Sequence, residues 1–130
     1  MNSEREALVR RYYEAFSAND LDGVLAVVHP EIEFNPILGA LYEQRGFYGR
    51  EGMTEHLRML HERWDTFEGE LEQIVEDGDA LIGFVCLRAT RGGEPFEARV
   101  AVEVGFRDGL ISSFVGLDVY ETAEELGISL

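Results

Sequence analysis

With 130 residues and 45% hydrophobic content, the chain has the size of one compact domain spanning 1–130, built on a single core. A formal net charge of -15 and a pI near 4.4 set up a field that repels phosphate backbones and anionic lipid, which argues against nucleic acid and membrane surfaces as partners. No signal-type apolar stretch and no run of about 18 apolar residues is present, which points to the cytoplasm. Cys86 is the one cysteine, so the chain has no internal disulfide and no thiolate metal site, and the thiol is expected to be a small buried hydrophobe.

Ser3 and Glu6 have capping-box spacing, and Leu8, Tyr12, Ala15 and Phe16 then recur at helical intervals up to "SAND". Asn19 or Asp20 can cap a second, shorter helix that carries Leu21, Val24, Leu25 and Val28 on one side. "HP" ends it, because the residue before proline is pushed out of the α region. "EIEF" alternates as a strand, and the turn-rich "NPILGALYEQRGFYG" leads to a third helix from about Arg50 to Trp64. Its apolar stripe is Met53, Leu57, Leu60 and Trp64. The period then changes to that of strands, punctuated by Asp77-Gly78, Gly92-Gly93 and Asp108-Gly109, dipeptides that supply the positive φ of tight hairpins. Helices followed by a four-strand antiparallel meander predict an α+β domain.

Counting outward from these turns predicts a register. It sets Arg107 opposite Leu110, Glu103 opposite Phe114, Ala101 opposite Gly116 and Arg99 opposite Asp118, with Ile82 beside Glu103 and Phe84 beside Ala101. One sheet face then carries Leu71, Gln73, Ile82, Phe84, Cys86, Ala101, Glu103, Phe114 and Gly116. The other carries Leu81, Val85, Leu87, Val100, Val102, Val104, Phe106, Val115 and Leu117. Two apolar faces imply helices over one and a second copy over the other, a homodimer through the outer sheet face.

In that register Glu103 stands between Ile82 and Phe114, where desolvation raises a carboxyl's pKa and lets the neutral acid donate a hydrogen bond to a carbonyl. Tyr12, on the apolar side of the first helix, buries its ring and needs a partner for its hydroxyl. Arg99 and Asp118 form a cross-strand pair able to orient a ligand. His29, His56 and His61 make no metal-ligand set, since His56 and His61 are five apart and no HExxH occurs. No nucleophile elbow or phosphate loop is present, and no cofactor is expected.

The layout, carried by "RYYEAFSANDLDGVLAVVHPEIEF", "FYGREGMTEHL" and "VEVGFRDGLISSFVGLDVYE", resembles the nuclear-transport-factor-2-like superfamily and within it the SnoaL-like, polyketide-cyclase-like branch. The resemblance implies a cystatin-like cone in which N-terminal helices pack on a curved antiparallel sheet around a pocket. It implies a pocket lined by Phe16, Glu33, Asn35, Met53, Leu57, Leu60, Trp64, Ile82, Phe84, Arg99, Ala101, Phe114 and Gly116. By similarity to ketosteroid isomerases, which share the fold, Tyr12 and Glu103 match the two groups that hydrogen-bond the substrate oxygen. The general-base position is Asn35, an amide that cannot take the proton, and Glu33 lies two residues back. Limonene-epoxide-hydrolase-like chemistry is disfavoured, because "GFVCLRAT" and Gly116 stand where its Arg-x-Asp and aspartate belong. In SnoaL-like cyclases an acidic pocket residue does the acid/base work, and Asp118 or Glu103 fills that role here. The expected function is binding of a small, largely apolar ligand bearing a carbonyl or hydroxyl, with cofactor-independent isomerisation or cyclisation of it. The alternatives are a carrier or sensor without turnover, and a dimerisation module whose pocket is filled by Phe16, Phe34, Phe84, Phe114 and Trp64.

Overall fold

A computed structural model describes residues 2–35 and 46–129. Helix α1 (Asn2–Ser17) is followed by α2 (Leu21–Val27), β1 (Val28–Asn35), β2 (Phe47–Tyr48), α3 (Gly49–Arg63), β3 (Thr66–Asp77), β4 (Ala80–Arg91), β5 (Glu94–Arg107), β6 (Leu110–Leu117) and α4 (Val119–Leu126). Residues 36–45 of the expected turn-rich stretch lie outside the described residues. The six strands form one sheet in the order β2-β1-β6-β5-β4-β3. β1 runs parallel to β6, and the other pairs are antiparallel. Among the described residues no helix is long and apolar enough to cross a membrane.

Local chemistry accounts for most boundaries. Asn19 takes φ 55°, and the Asp20 carboxylate accepts the Gly23 amide at 3.0 Å, which caps α2. α3 ends at Trp64, whose N–H donates to the Leu60 carbonyl at 2.9 Å. The meander turns close on Asp77↔Ala80, Arg91↔Glu94 and Arg107↔Leu110, all two-residue loops, the first of them Gly78-Asp79 rather than the expected Asp77-Gly78. At the last of them Asp108 and Gly109 both adopt positive φ, 55° and 75°, as a type I′ turn requires.

The β4–β5 register is the one counted from the turn, with Ile82 opposite Glu103 and Phe84 opposite Ala101. On β6 the count fails, because a bulge intervenes. Phe106 pairs with Ile111 but Gly105 pairs with Ser113, leaving Ser112 as the extra residue. Every later side chain changes face: Val104 is opposite Phe114, Glu103 opposite Val115, Val102 opposite Gly116 and Ala101 opposite Leu117. A second bulge at Glu72 turns Leu71 inward, opposite Val85, and Gln73 outward, opposite Phe84.

The expected faces are therefore corrected. α1 and α3 cover the face formed by Leu81, Val85, Leu87, Val100, Val102, Val104, Ile111 and Phe114, all part of one core cluster with Tyr12, Met53 and Leu57. Ile82, Phe84 and Ala101 belong to the opposite face and form a second cluster with Ala123, against which Val119, Leu126 and Ile128 pack. That cluster exists because of α4, a helix not anticipated from the sequence. Asp118 caps it, accepting the Glu121 amide at 2.9 Å, and Gly127 ends it at φ 69°. The chain's own last helix thus covers part of the outer face. Tyr48 and Val115 remain exposed on that face.

Candidate functional site

The site is assembled on the inner face. α1 contributes Tyr12, 1% exposed, because its helical spacing with Val9, Tyr13 and Phe16 turns all four toward the sheet. The Tyr12 ring lies 4.5 Å from Phe114 on β6 and edge-on to Tyr13 at 5.0 Å. α3 contributes Met53, His56, Leu57 and Leu60, all buried. The His56 ring lies 4.5 Å from Phe34 on β1 and 5.0 Å from Phe47 on β2. Phe34 touches Phe114 at 5.3 Å. Ring contacts therefore run from Tyr12 through Phe114 and Phe34 to His56.

Two polar atoms inside this aromatic cluster, Tyr12 Oη and His56 Nδ1, have no hydrogen-bond partner among the described residues. Leaving a buried polar atom unpaired costs about 1–3 kcal/mol, and an orphan in a native fold marks a place where a water, ion or ligand belongs. Burial pushes the Tyr12 phenol well above its usual pKa, reinforced by the neighbouring Tyr13. Burial lowers His56 from 6.5 to about 4. Both groups are neutral near neutral pH, Tyr12 as a hydrogen-bond donor and His56 as a group that can donate or accept.

The other expected site residues are dispersed. Phe16 and Phe114 share the Tyr12 cluster with Met53, Leu57 and Leu60, and Gly116, opposite Val102, faces the same side. Ile82, Phe84 and Ala101 lie on the far face beneath α4. Glu103, between Ile82 and Val115, is on that far face too, so it does not join Tyr12. The bulge takes Phe114 away from Glu103, but Glu103 keeps its expected neighbour Ile82; it fails to meet Tyr12 because α1 and α3 cover the other face of the sheet. Arg99 does not meet Asp118: its Nε donates to Glu72 Oε1 at 3.0 Å, while Asp118 serves as the α4 cap. Glu33 and Asn35 are exposed on β1, where Ile32 and Phe34 take the inward positions. Trp64 sits at the end of α3 against Phe96, 5.2 Å away, with the Arg91 guanidinium over its ring at 5.6 Å. A surface cleft of about 800 Å³ beside the end of α1, lined in part by Ser17, Phe67, Arg88 and Phe96, holds none of the expected residues. Among the described residues no group of His, Cys, Asp or Glu is arranged to hold a metal ion.

In the sequence His56 reads only as a candidate metal ligand. Its position within the stripe Met53, His56, Leu57, Leu60 was the available signal of burial. Its depressed pKa has a measurable consequence. The unfolded chain takes up a proton at His56 below pH 6.5 while the folded chain resists until about 4. This contribution to stability therefore falls with pH across that window and is level above it. Between about pH 7 and about pH 5 the wild type is expected to lose about 2 kcal/mol more unfolding free energy than His56→Phe, measured by urea denaturation. Parallel pH profiles for the two proteins would show that His56 is not desolvated.

N-terminal helices and α3 on one face of a six-stranded mixed sheet, with the short α4 against the other, fit the NTF2-like, cystatin-like α+β fold. The chain belongs to the SnoaL-like domain family, whose model matches residues 9–114. No curated protein matches the sequence. Among solved structures it is similar to TerC co-crystallised with polyporic acid, with a TM-score of 0.79 and 19% identity over 95% of this chain and 97% of that one. An NTF2-like protein of unknown function from Burkholderia pseudomallei gives a TM-score of 0.77 and 22% identity over 93% and 95% of the two chains. A putative polyketide cyclase from Sinorhizobium meliloti gives 0.70 and 17% identity over 85% and 94%. At such identities the likeness is one of fold.

Proposed function

We propose that this SnoaL-like domain binds a small, largely apolar ligand carrying a carbonyl or hydroxyl, between α1, α3 and the inner sheet face, with Tyr12 as hydrogen-bond donor. The observation that carries this reading is the unpartnered, fully buried Tyr12 hydroxyl within an aromatic cluster. A ligand oxygen would satisfy it, and the surrounding rings would supply apolar contact. Among the described residues no Asp or Glu is buried, so binding without a carboxylate acid or base, as in a carrier or sensor, is the form favoured here over isomerisation or cyclisation.

A second reading has its own support. The unbroken ring contacts of Tyr12, Phe114, Phe34 and His56 favour a self-filled interior, and the exposed Tyr48 and Val115 favour a dimerisation module using the outer sheet face.

A thermal-shift screen against steroid enones, aromatic polyketides, terpenoid epoxides and fatty acids separates these readings. A ligand at about one hundred times its dissociation constant stabilises the native state by roughly 2.7 kcal/mol, which raises the midpoint of a domain this size by several degrees. Mass analysis of a hit after incubation is expected to recover it unchanged, whereas conversion would establish turnover. A screen in which no class shifts the midpoint would leave the self-filled module.

A further inference from the structure

Resting on the binding reading above, we propose that His56 is the second polar anchor of the site, so that the domain selects flat, uncharged molecules with hydrogen-bonding groups at opposite ends. Tyr12 serves one end and His56 the other. His56 is 7% exposed, its Nδ1 has no partner, and it comes from α3, a different element from the α1 helix that carries Tyr12. An imidazole needed only for packing leaves its core position better filled by phenylalanine, which has no buried nitrogen to desolvate.

Two unpaired groups on one continuous aromatic cluster define a ligand by its pattern. Phe114 and Phe34 separate them, so a molecule that reaches both lies along two phenyl rings. Flat rings suit that path, with their apolar faces against the phenylalanines. The buried polar and charged side chains among the described residues are His29, His56 and Thr122. No buried guanidinium, ammonium or carboxylate is therefore among them to compensate a ligand charge, and an anion is disfavoured twice, by desolvation and by the net charge of -15. A neutral imidazole accepts from a ligand hydroxyl through Nδ1, while the Tyr12 phenol donates to a carbonyl. A hydroxyl-bearing aromatic ketone or lactone fits; a fatty acid does not.

Umbelliferone, coumarin and naphthalene form a graded set of probes: both polar ends, the carbonyl end alone, and neither. Binding is followed by fluorescence titration or calorimetry at a pH where umbelliferone is neutral, on wild type, His56→Phe and His56→Asn. The wild type is expected to favour umbelliferone over coumarin by about fivefold or more, equivalent to about 1 kcal/mol. His56→Phe is expected to erase that preference, so that umbelliferone and coumarin bind it alike, and His56→Asn, which keeps a polar atom near the Nδ1 position, is expected to retain it. Equal affinities for the two probes in the wild type, or a preference that survives in His56→Phe, would overturn the role of His56 while leaving the pocket standing. If none of the three probes binds, the binding reading falls and this inference falls with it.

Discussion

Phe114→Ala is expected to lower unfolding free energy by about 3–5 kcal/mol, the range for truncating a buried phenylalanine that leaves a cavity. Phe114 is 1% exposed and touches the rings of Tyr12 at 4.5 Å, Phe34 at 5.3 Å and Tyr13 at 6.4 Å. Few positions join α1, β1 and β6 so directly, so the surroundings have little freedom to collapse into the space. The next residue provides the control. Val115 is 38% exposed on the outer face, and Val115→Ala is expected to cost under about 1 kcal/mol. Urea midpoints at unchanged slope measure both. A small loss at 114 beside a large one at 115 would reverse the two faces of β6 and remove the bulge from the account.

That bulge marks the boundary of what the sequence made legible. Helical spacing, the Asp20 cap, "HP" and the Gly-containing turns were each governed by chemistry within a few residues, and the three helices and four long strands fell close to where that chemistry put them. Register is a longer-range property. It was counted from Arg107↔Leu110, and the pair itself formed, but one unpaired residue at Ser112 inverted everything after it. A trace of the bulge was present: Ile111 and Phe114 are three apart, a spacing that an unbroken strand sends to opposite faces and that the bulge brings to one. The bulge exchanged Phe114 for Val115 opposite Glu103, whereas Glu103 and Tyr12 are apart because the helices pack on the face that carries Val102 and Val104. α4 was hidden for another reason. "DVYETAEELG" carries its own cap and glycine stop, yet the apolar outer face it covers was assigned wholly to a second chain.

Tyr12, by contrast, was placed by helical periodicity alone, and it is the residue on which the binding reading depends. Without ligand, Tyr12→Phe removes a hydroxyl that makes no hydrogen bond, so the variant is expected to be more stable than wild type by about 1–2 kcal/mol. With ligand the order reverses, because only the wild type donates to the bound oxygen. The same substitution thus stabilises the free protein and weakens the complex, a combination that general damage to the core does not produce.

The most direct test of the account is calorimetric titration of the strongest ligand from the screen into wild type, Tyr12→Phe and Glu103→Gln. The expected result is a loss of about tenfold or more in affinity for Tyr12→Phe, equivalent to about 1.4 kcal/mol, with Glu103→Gln within about twofold of wild type. A large loss in Glu103→Gln with none in Tyr12→Phe would contradict it, moving the site to the outer sheet face.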